Sequence, residues 1–311
     1  MVETFLQTLP HGISLSCRAT GQPGRPVLMF LHGFPEAAFV WDPLLEYFAS
    51  PPHGGYRCIA PNLRGFERSS APAEVSAYRT KHLVQDIAAL ISIHAPSTGI
   101  PGASGSLACL VAHDWGGAVA WNLVNQKPEL ADKLAVINSP HPGTFLRELK
   151  TNPRQQAASA YMNFLVRPDA ENLLAQNDFR RLWQFLCGKP DGNPAPTWLT
   201  EDVKALYRNV WRQGLAGGCN YYRASPLRPP REHDPAAARI DLPHHMLTIG
   251  LPTLLVWGMN DTALLPGLMD GLAAYVPDLT IRPVPDASHW IVHEQPQRVI
   301  GLLQDFLQRA P

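Results

Sequence analysis

The stretch from Leu107 to Trp121 limits the possible folds of this chain more than any other segment. An apolar run suited to a β-strand ends abruptly at Ala112, an acidic residue follows two positions later, and a glycine-containing helical segment then begins. The small residues Ala112 and Gly116 lie two positions before and two positions after Asp114. A sharp strand-to-helix turn needs this spacing, because only small side chains fit on either side of its apex. The stretch therefore predicts Asp114 at the apex of such a turn.

Asp114 has two interpretations at this position. Aspartate is a preferred N-cap residue, and a strand followed by a capped helix is common. The other interpretation is a nucleophile held at a helix N-terminus, where the helix dipole favours an ionised carboxylate. Two distant segments favour the nucleophile because they carry the partners that it would need, His32-Gly33-Phe34-Pro35 and Ser288-His289-Trp290.

The rest of the chain alternates between strand-like and helix-like segments. The first two strands form a hairpin around a Pro-His-Gly turn at 10–12. Apolar runs predict strands at 4–9, 13–19, 27–31, 56–60, 107–112, 134–137, 252–258 and 279–284. Apolar periodicity predicts helices at 41–48, 80–94, 264–275 and 295–309, and directly after Asp114. This alternation predicts an α/β fold with a mostly parallel eight-stranded sheet and helices on both faces.

The alternation stops between residues 143 and 244. This stretch is richer in helix formers, tryptophan, tyrosine and proline than its flanks. We interpret residues 143–244 as a helical cap domain, and residues 1–142 and 245–311 as the core domain. Ligands of open α/β sheets bind at the carboxyl ends of the strands, and the cap is expected to cover that edge. A glycine-rich segment at 99–106 is interpreted as a surface loop, because no Gly-Lys-Ser/Thr sequence follows it.

Composition excludes several classes of protein. Basic and acidic residues are equal at 26 each, so the chain has no basic field that would attract nucleic acid or an anionic membrane. The five cysteines include no C-x-x-C pair, which argues against a disulfide framework and against a zinc site. The sequence contains neither a secretory signal pattern nor an apolar stretch long enough to span a membrane. We therefore expect a cytoplasmic protein.

A nucleophile needs a base, and the base needs an orienting acid. His289 lies just after the last predicted strand and is the candidate base. The acid is expected after one of two strands, of which the first ends at the uncharged Asn138 and the second is followed by Asp261. Asp261 is therefore the preferred acid. Asp286 is the alternative, although its place three residues before His289 suits a turn former better.

Four motifs carry a resemblance that extends over nearly the whole chain. They are His32-Gly33-Phe34-Pro35, Ala112-His113-Asp114-Trp115-Gly116-Gly117, Gly258-Met259-Asn260-Asp261 and Ala287-Ser288-His289-Trp290. In this order and spacing the chain resembles the epoxide hydrolase branch of the α/β-hydrolase fold. The resemblance implies an aspartate nucleophile and two cap tyrosines that hold the epoxide oxygen. Cys219-Asn220-Tyr221-Tyr222-Arg223 is similar to the second tyrosine motif and selects Tyr222, and the segment at 161–168 is similar to the first and selects Tyr161.

The resemblance also implies a mechanism without a metal or an organic cofactor. Asp114 would attack an epoxide carbon while Tyr161 and Tyr222 bind its oxygen, and His289 with Asp261 would activate the water that hydrolyses the resulting ester. The backbone N–H groups of Phe34 and Trp115 would form the oxyanion hole, and the Phe34–Pro35 bond is expected to be cis. An apolar epoxide and water are the expected partners, and a homodimer stays open. Substrate contacts are expected from His32, Pro35, Met162 and Trp290, beside Phe34 and Trp115.

Three other functions are considered. Haloalkane and haloacid dehalogenases share the aspartate nucleophile, but Phe34 occupies the position of their usual halide-binding asparagine, and no clamp for a small haloacid is evident. Serine esterases require serine at position 114. A non-catalytic small-molecule receptor on the same fold has no need of both His289 and Asp261, so the complete set of three groups favours an enzyme.

Overall fold

In the computed structural model, which describes residues 1–95, 105–187, 196–231 and 234–309, eight strands form one sheet. The strands are β1 (Glu3–Thr8), β2 (Ser14–Thr20), β3 (Val27–Leu31), β4 (Arg57–Pro61), β5 (Cys109–His113), β6 (Leu134–Ile137), β7 (Thr253–Gly258) and β8 (Leu279–Val284). Their order across the sheet is β1-β2-β4-β3-β5-β6-β7-β8. The β1–β2 and β2–β4 pairs are antiparallel and the other pairs are parallel. The predicted α/β fold with a mostly parallel sheet is confirmed.

The central strands are apolar because helices cover both faces of the sheet. Every residue of β3, β5, β6 and β7 is buried, which a continuous apolar run permits and an alternating pattern does not. The edge strand β1 has no buried residue and exposes positions 3, 4, 6 and 8, as expected at the rim of the sheet. The parallel strands therefore bring their carboxyl ends to a common edge, where β5 delivers Asp114.

The α-helices lie between and after these strands. They are α1 (Asp42–Ala49), α2 (Thr80–His94), α3 (Trp115–Gln126), α4 (Pro142–Thr151), α5 (Pro153–Ala158), α6 (Tyr161–Leu165), α7 (Ala170–Cys187), α8 (Glu201–Trp211), α9 (Ala216–Ala224), α10 (Ile291–Glu294) and α11 (Pro296–Gln308). None of the helices within the described ranges combines the length and the apolar character that a bilayer crossing requires.

One predicted helix is wrong. In place of a helix at 264–275, two short 3-10 helices span Pro266–Met269 and Leu272–Ala274. Gly271 lies between them at φ +72°, a left-handed conformation that ends a right-handed helix and that glycine adopts without steric cost. The apolar spacing of this segment matched a helix, but the glycine interrupts it. The loop predicted at 99–106 lies outside the described residues except for its last two positions.

Helices α4 to α9 all lie between β6 and β7 in sequence, in the stretch interpreted as the cap except for Pro142, the first residue of α4. The division into cap and core stays a prediction, but the contact that sets the position of α9 is well defined. Gly217 of α9 packs directly on Gly65, and a Cβ on Gly217 would lie 2.4 Å from Gly65 Cα. Gly65 itself has φ +85°. This close approach of two backbones brings the helix that carries Tyr222 down onto the core.

Candidate active site

The turn between β5 and α3 is as sharp as the sequence predicts. Asp114, at its apex, has φ +48° and ψ −120°, a conformation that non-glycine residues adopt rarely and at a cost in free energy. The neighbouring glycines are required by space. A Cβ on Gly116 would lie 2.4 Å from the carbonyl oxygen of Leu31, and one on Gly33 would lie 2.3 Å from Asp114 Cβ. The surrounding backbone therefore holds Asp114 in its strained conformation.

The side chain of Asp114 does not cap helix α3. No backbone N–H of the first turn donates to it, although Asp114 occupies the N-cap position. Instead, Asp114 Oδ1 accepts a hydrogen bond of 2.7 Å from the backbone N–H of Phe34. The peptide bond between Phe34 and Pro35 is cis, as predicted. The interpretation of Asp114 as an ordinary N-cap is therefore wrong, and its carboxylate points toward the loop after β3.

His289 and Asp261 lie together on the other side of Asp114. His289 Nδ1 is 2.7 Å from Asp261 Oδ2, and His289 Nε2 is 3.7 Å from Asp114 Oδ2, too long for a direct hydrogen bond. Asp261 Oδ1 accepts the backbone N–H groups of Ala263 and Leu264 at 2.9 and 2.8 Å. The carboxylate partner of His289 is thus Asp261, the preferred candidate, while the side chain of Asp286 is exposed.

The electrostatics of this pair follow from burial and charge. Burial alone would raise the pKa of Asp261, but His289, with donors from Leu264 and Asn138, outweighs burial and brings the pKa below its ordinary value. Burial alone would lower the pKa of His289, but Asp261 raises it to about 9, and the carboxylate of Asp114 adds to that effect. Asp261 is therefore ionised and holds Nδ1–H, which leaves Nε2 directed at Asp114.

Tyr161 and Tyr222 face Asp114 from the helical segment between β6 and β7. Their ring centroids are 6.1 Å apart, and the ring of Tyr222 packs edge-on against Trp115 at 5.1 Å. Burial, together with nearby acidic groups that include Asp114, raises the pKa of both phenols. Both hydroxyl groups are consequently protonated at neutral pH and can donate hydrogen bonds.

A cavity of about 210 Å³ lies between these tyrosines and Asp114. Most of its wall is apolar, and Asp114 is the one charged residue among those that line it in the described part of the chain. The lining residues are Thr80, Asp114, Trp115, Ala118, Asn122, Ser139, Pro140, Pro142, Phe145, Tyr161, Met162, Tyr222, Ser225, Pro226, Leu227, Ile240, Leu242 and Leu264. The cavity suits an uncharged, mainly apolar molecule that meets a carboxylate and two phenols at one end.

Of the four predicted substrate contacts, Met162 lines this cavity, and His32, Pro35 and Trp290 do not. His32 is fully buried, donates from Nδ1–H to Gly33 O (2.8 Å), and accepts the N–H of Leu63 (3.1 Å) at Nε2. Burial lowers the pKa of His32 to about 4, so the side chain is neutral, and its hydrogen bonds support the loop that follows β3. The carbonyl of Pro35 accepts a hydrogen bond from Trp211, and Trp290 packs on Phe185 at 5.7 Å.

Two groups of residues in and around the site were not predicted. Asn138, rejected as an acid because it carries no charge, donates to Asp261 Oδ2 at 2.8 Å and accepts from Gly258 N–H at 2.8 Å. Asn138 directly follows β6, at the edge of the sheet where Asp114 lies, and that position could have identified it as a site residue. The second is a buried cluster of Glu36, His113, Tyr207 and His293, whose members are far apart in sequence and carried no recognisable spacing.

Comparison with known proteins agrees with this geometry. A family model described as the alpha/beta hydrolase fold matches residues 26–296. The chain is 32% identical over 96% of both lengths to the AB hydrolase superfamily protein YfhM of Bacillus subtilis. It is 33% identical to Epoxide hydrolase 4 of Mus musculus over 98% of this chain and 79% of that protein. The crystal structure of an inhibitor-bound epoxide hydrolase from Bacillus megaterium superposes with a TM-score of 0.84 at 30% identity, covering 98% of this chain and 100% of that one.

Proposed function

Because the chain belongs to the epoxide hydrolase branch of the α/β-hydrolase fold family, we propose that it adds water to an epoxide and releases a vicinal diol through an ester on Asp114. One observation carries this proposal. The Asp114 carboxylate lies at the end of an apolar cavity, with two phenols in front of it and the His289–Asp261 pair behind it. A carboxylate with both kinds of partner can form an ester and then have that ester hydrolysed.

The first step opens the epoxide. Asp114 Oδ2 attacks one ring carbon, a new carbon–oxygen bond forms, and the bond between that carbon and the epoxide oxygen breaks. An alkoxide is a poor leaving group, so Tyr161 and Tyr222 donate hydrogen bonds to the oxygen and one phenol transfers its proton. Oδ1 stays bound to the N–H of Phe34, which leaves Oδ2 as the attacking oxygen. The product of this step is a hydroxyalkyl ester of Asp114.

The second step hydrolyses the ester. His289 Nε2 takes a proton from water, and the hydroxide attacks Asp114 Cγ. The carbonyl oxygen becomes an oxyanion, which the N–H groups of Phe34 and Trp115 stabilise by hydrogen bonding. Collapse breaks the bond between Cγ and Oδ2, and the departing oxygen receives the proton held by His289. Asp114 is then a carboxylic acid, and its proton returns through water to the phenolate left by the first step, which restores the enzyme. One oxygen of the diol comes from the epoxide and the other from Asp114.

The substrate inferred from the cavity is a small, uncharged epoxide with an alkyl or aryl group. The volume of about 210 Å³ and the apolar wall accommodate such a group, and no basic side chain among the lining residues would neutralise an acid. Beyond this, the homodimer, the cytoplasmic location and the division into a cap at 143–244 and a core stay predictions. Sedimentation equilibrium measures the first of them.

Styrene oxide tests the proposed function. Purified protein is expected to convert it to the diol, detected by chromatography, and to release no halide from a panel of haloalkanes and haloacids. With enzyme in excess over substrate in H₂¹⁸O, the first diol released should carry no ¹⁸O, because its new oxygen comes from Asp114. Label in that first diol would show direct attack by water. Halide release would assign a dehalogenase, and tight binding without turnover would assign a receptor.

Removing the phenolic hydroxyl groups should slow ester formation and leave ester hydrolysis unchanged. Tyr161→Phe and Tyr222→Phe are each expected to lower the rate of ester formation by about 100-fold, since general acid catalysis typically contributes 10²- to 10⁴-fold. Stopped-flow mixing with excess enzyme measures that rate. Tyr221→Phe is the matched control, because the Tyr221 hydroxyl donates to Arg64 O rather than to the cavity. Full activity in both test variants would remove the tyrosines from the mechanism.

The two steps should respond differently to pH. The pKa of His289 is raised to about 9 while Asp114 is ionised, and it falls when esterification removes that charge. Hydrolysis needs neutral His289, so its rate should decline as the pH is lowered through the pKa in the ester, whereas ester formation needs only ionised Asp114. As the pH is lowered from about 9 to about 6, the fraction of enzyme present as the covalent ester at steady state should therefore rise. Rapid acid quench and intact mass spectrometry measure this fraction, and a constant value would contradict the role of His289.

A further inference from the structure

Two side chains of helix α8 reach the turn that presents the Phe34 N–H. Trp211 Nε1 donates to the carbonyl oxygen of Pro35 at 2.7 Å, and the hydroxyl of Tyr207 donates to Glu36 Oε1 at 3.1 Å. The same hydroxyl lies 2.8 Å from His293 Nε2, which contacts the same carboxylate oxygen. Both aromatic side chains are buried. The turn itself is closed by the N–H of Glu36, which donates to Gly33 O at 3.1 Å. The residue that contributes the oxyanion N–H is thus followed directly by two residues that α8 holds.

The Glu36 carboxylate ties this turn to the rest of the site. Its Oε2 is 2.9 Å from His113 Nδ1, and its Oε1 is 3.1 Å from His293 Nε2. His113 Nε2 in turn lies 2.9 Å from the carbonyl oxygen of His289. Burial alone would raise the pKa of Glu36, but His113 and His293 hold the pKa well below its ordinary value. The carboxylate is therefore a charged acceptor for donors from three parts of the chain, and the one from α8 is the Tyr207 hydroxyl.

We propose that Tyr207 and Trp211 are positioning residues for the second step, which hold the Gly33–Glu36 turn so that the Phe34 N–H stays aimed at Asp114 Oδ1. This inference rests on the proposed function. Helix α8 has no residue among those that line the 210 Å³ cavity, so the effect does not pass through substrate contact. Trp211 acts through the Pro35 carbonyl and Tyr207 through the Glu36 carboxylate. Both groups belong to the Gly33–Glu36 turn, whose backbone carries the Phe34 N–H.

The change in charge on Asp114 Oδ1 determines which of the two steps depends on the orientation of the Phe34 N–H. Asp114 is a full carboxylate before ester formation and loses charge as the ester forms, so a donor at Oδ1 does not favour that step. During hydrolysis the negative charge grows on the same oxygen, and a donor aligned with it stabilises the transition state. Displacement of the Phe34 N–H should therefore slow hydrolysis selectively, whereas a general loosening of the fold would slow both steps.

The test compares the two rate constants in Tyr207→Phe, Trp211→Phe and the double variant of the full chain. Excess enzyme is mixed with styrene oxide, samples are quenched in acid, and intact mass spectrometry follows the covalent adduct as it forms and decays. We expect hydrolysis to slow by about tenfold in each single variant, because small misplacements of a catalytic group cost up to about 100-fold. Ester formation should change by less than about twofold, and the adduct should accumulate.

Tyr221→Phe provides the matched control. It also removes a buried hydroxyl that joins α9 to a core loop, at 3.0 Å from Arg64 O, but that loop is not the Phe34 turn. Its ratio of the two rate constants should equal that of the wild type. Tyr207→Phe keeps the aromatic ring, so this variant alone tests the positioning role if Trp211→Phe fails to fold. Equal slowing of both steps, or no change in hydrolysis, would overturn the inference, whereas a wild type that forms neither adduct nor diol would overturn the proposed function instead.

Discussion

Substitution of Asp114 by alanine is expected to abolish diol formation, with a fall in kcat of about 10⁶-fold, the scale seen when a catalytic nucleophile is removed. The reason is that both proposed steps use the same carboxylate, first as the attacking oxygen and then as the carbon under attack. Alanine leaves only direct attack of water on the epoxide, which forms no ester for the His289–Asp261 pair to hydrolyse. Chromatography of the diol from styrene oxide measures the effect.

The control for this variant is Asp286→Ala, which removes an exposed carboxylate near His289 and should keep wild-type turnover. Asp114→Ala should still fold, because it removes a partly buried carboxylate and adds no atoms, while the strain at φ +48° remains with alanine, which is also a non-glycine residue. Thermal unfolding measures whether the variant is folded, and a folded variant without activity would show that the loss comes from the missing carboxylate. Diol formation by Asp114→Ala at a rate near that of the wild type would contradict a covalent mechanism.

Substitution of His289 by glutamine should separate the two steps. Ester formation should continue, because it uses Asp114 and the two tyrosines, while hydrolysis should slow by about 10⁴-fold, the upper range for loss of a general base. The variant is expected to consume one equivalent of styrene oxide and then stop. Intact mass spectrometry should show nearly all of the protein heavier by the mass of the substrate, and peptide mapping should place the adduct on Asp114.

Two further variants of acidic residues test the partner of His289. Asp261→Asn should slow hydrolysis strongly, because Asp261 raises the pKa of His289 and accepts a hydrogen bond from its Nδ1–H. Asp286→Ala should leave hydrolysis unchanged. A variant at His289 that hydrolyses its ester as fast as the wild type would remove His289 from the mechanism, and a strong effect at position 286 would reassign the acid.

Much of the fold and of the site follows from local patterns. The buried strand β3 and the helix α2 have the bounds that apolar periodicity predicts, because a segment covered on one or both faces must show that burial in its own residues. Asp261 was preferred because it follows a strand, whereas Asp286 lies only three residues before His289 and suits a turn, and the 2.7 Å contact with His289 agrees with that choice. The failed helix at 264–275 illustrates the limit, since its apolar spacing was helical but Gly271 interrupts it.

The strand-to-helix turn at Asp114, the order of nucleophile, acid and base, and the family can all be inferred from the residues alone. These depend on residue types at short spacings, which the chain must carry wherever it folds. Three findings required the tertiary structure. His32 is buried beneath the loop after β3, Asn138 donates to Asp261, and Tyr207 and Trp211 contact the turn that contains Phe34. Each of these depends on which atoms of distant segments come within hydrogen-bond distance, and that is set by how helices and strands pack.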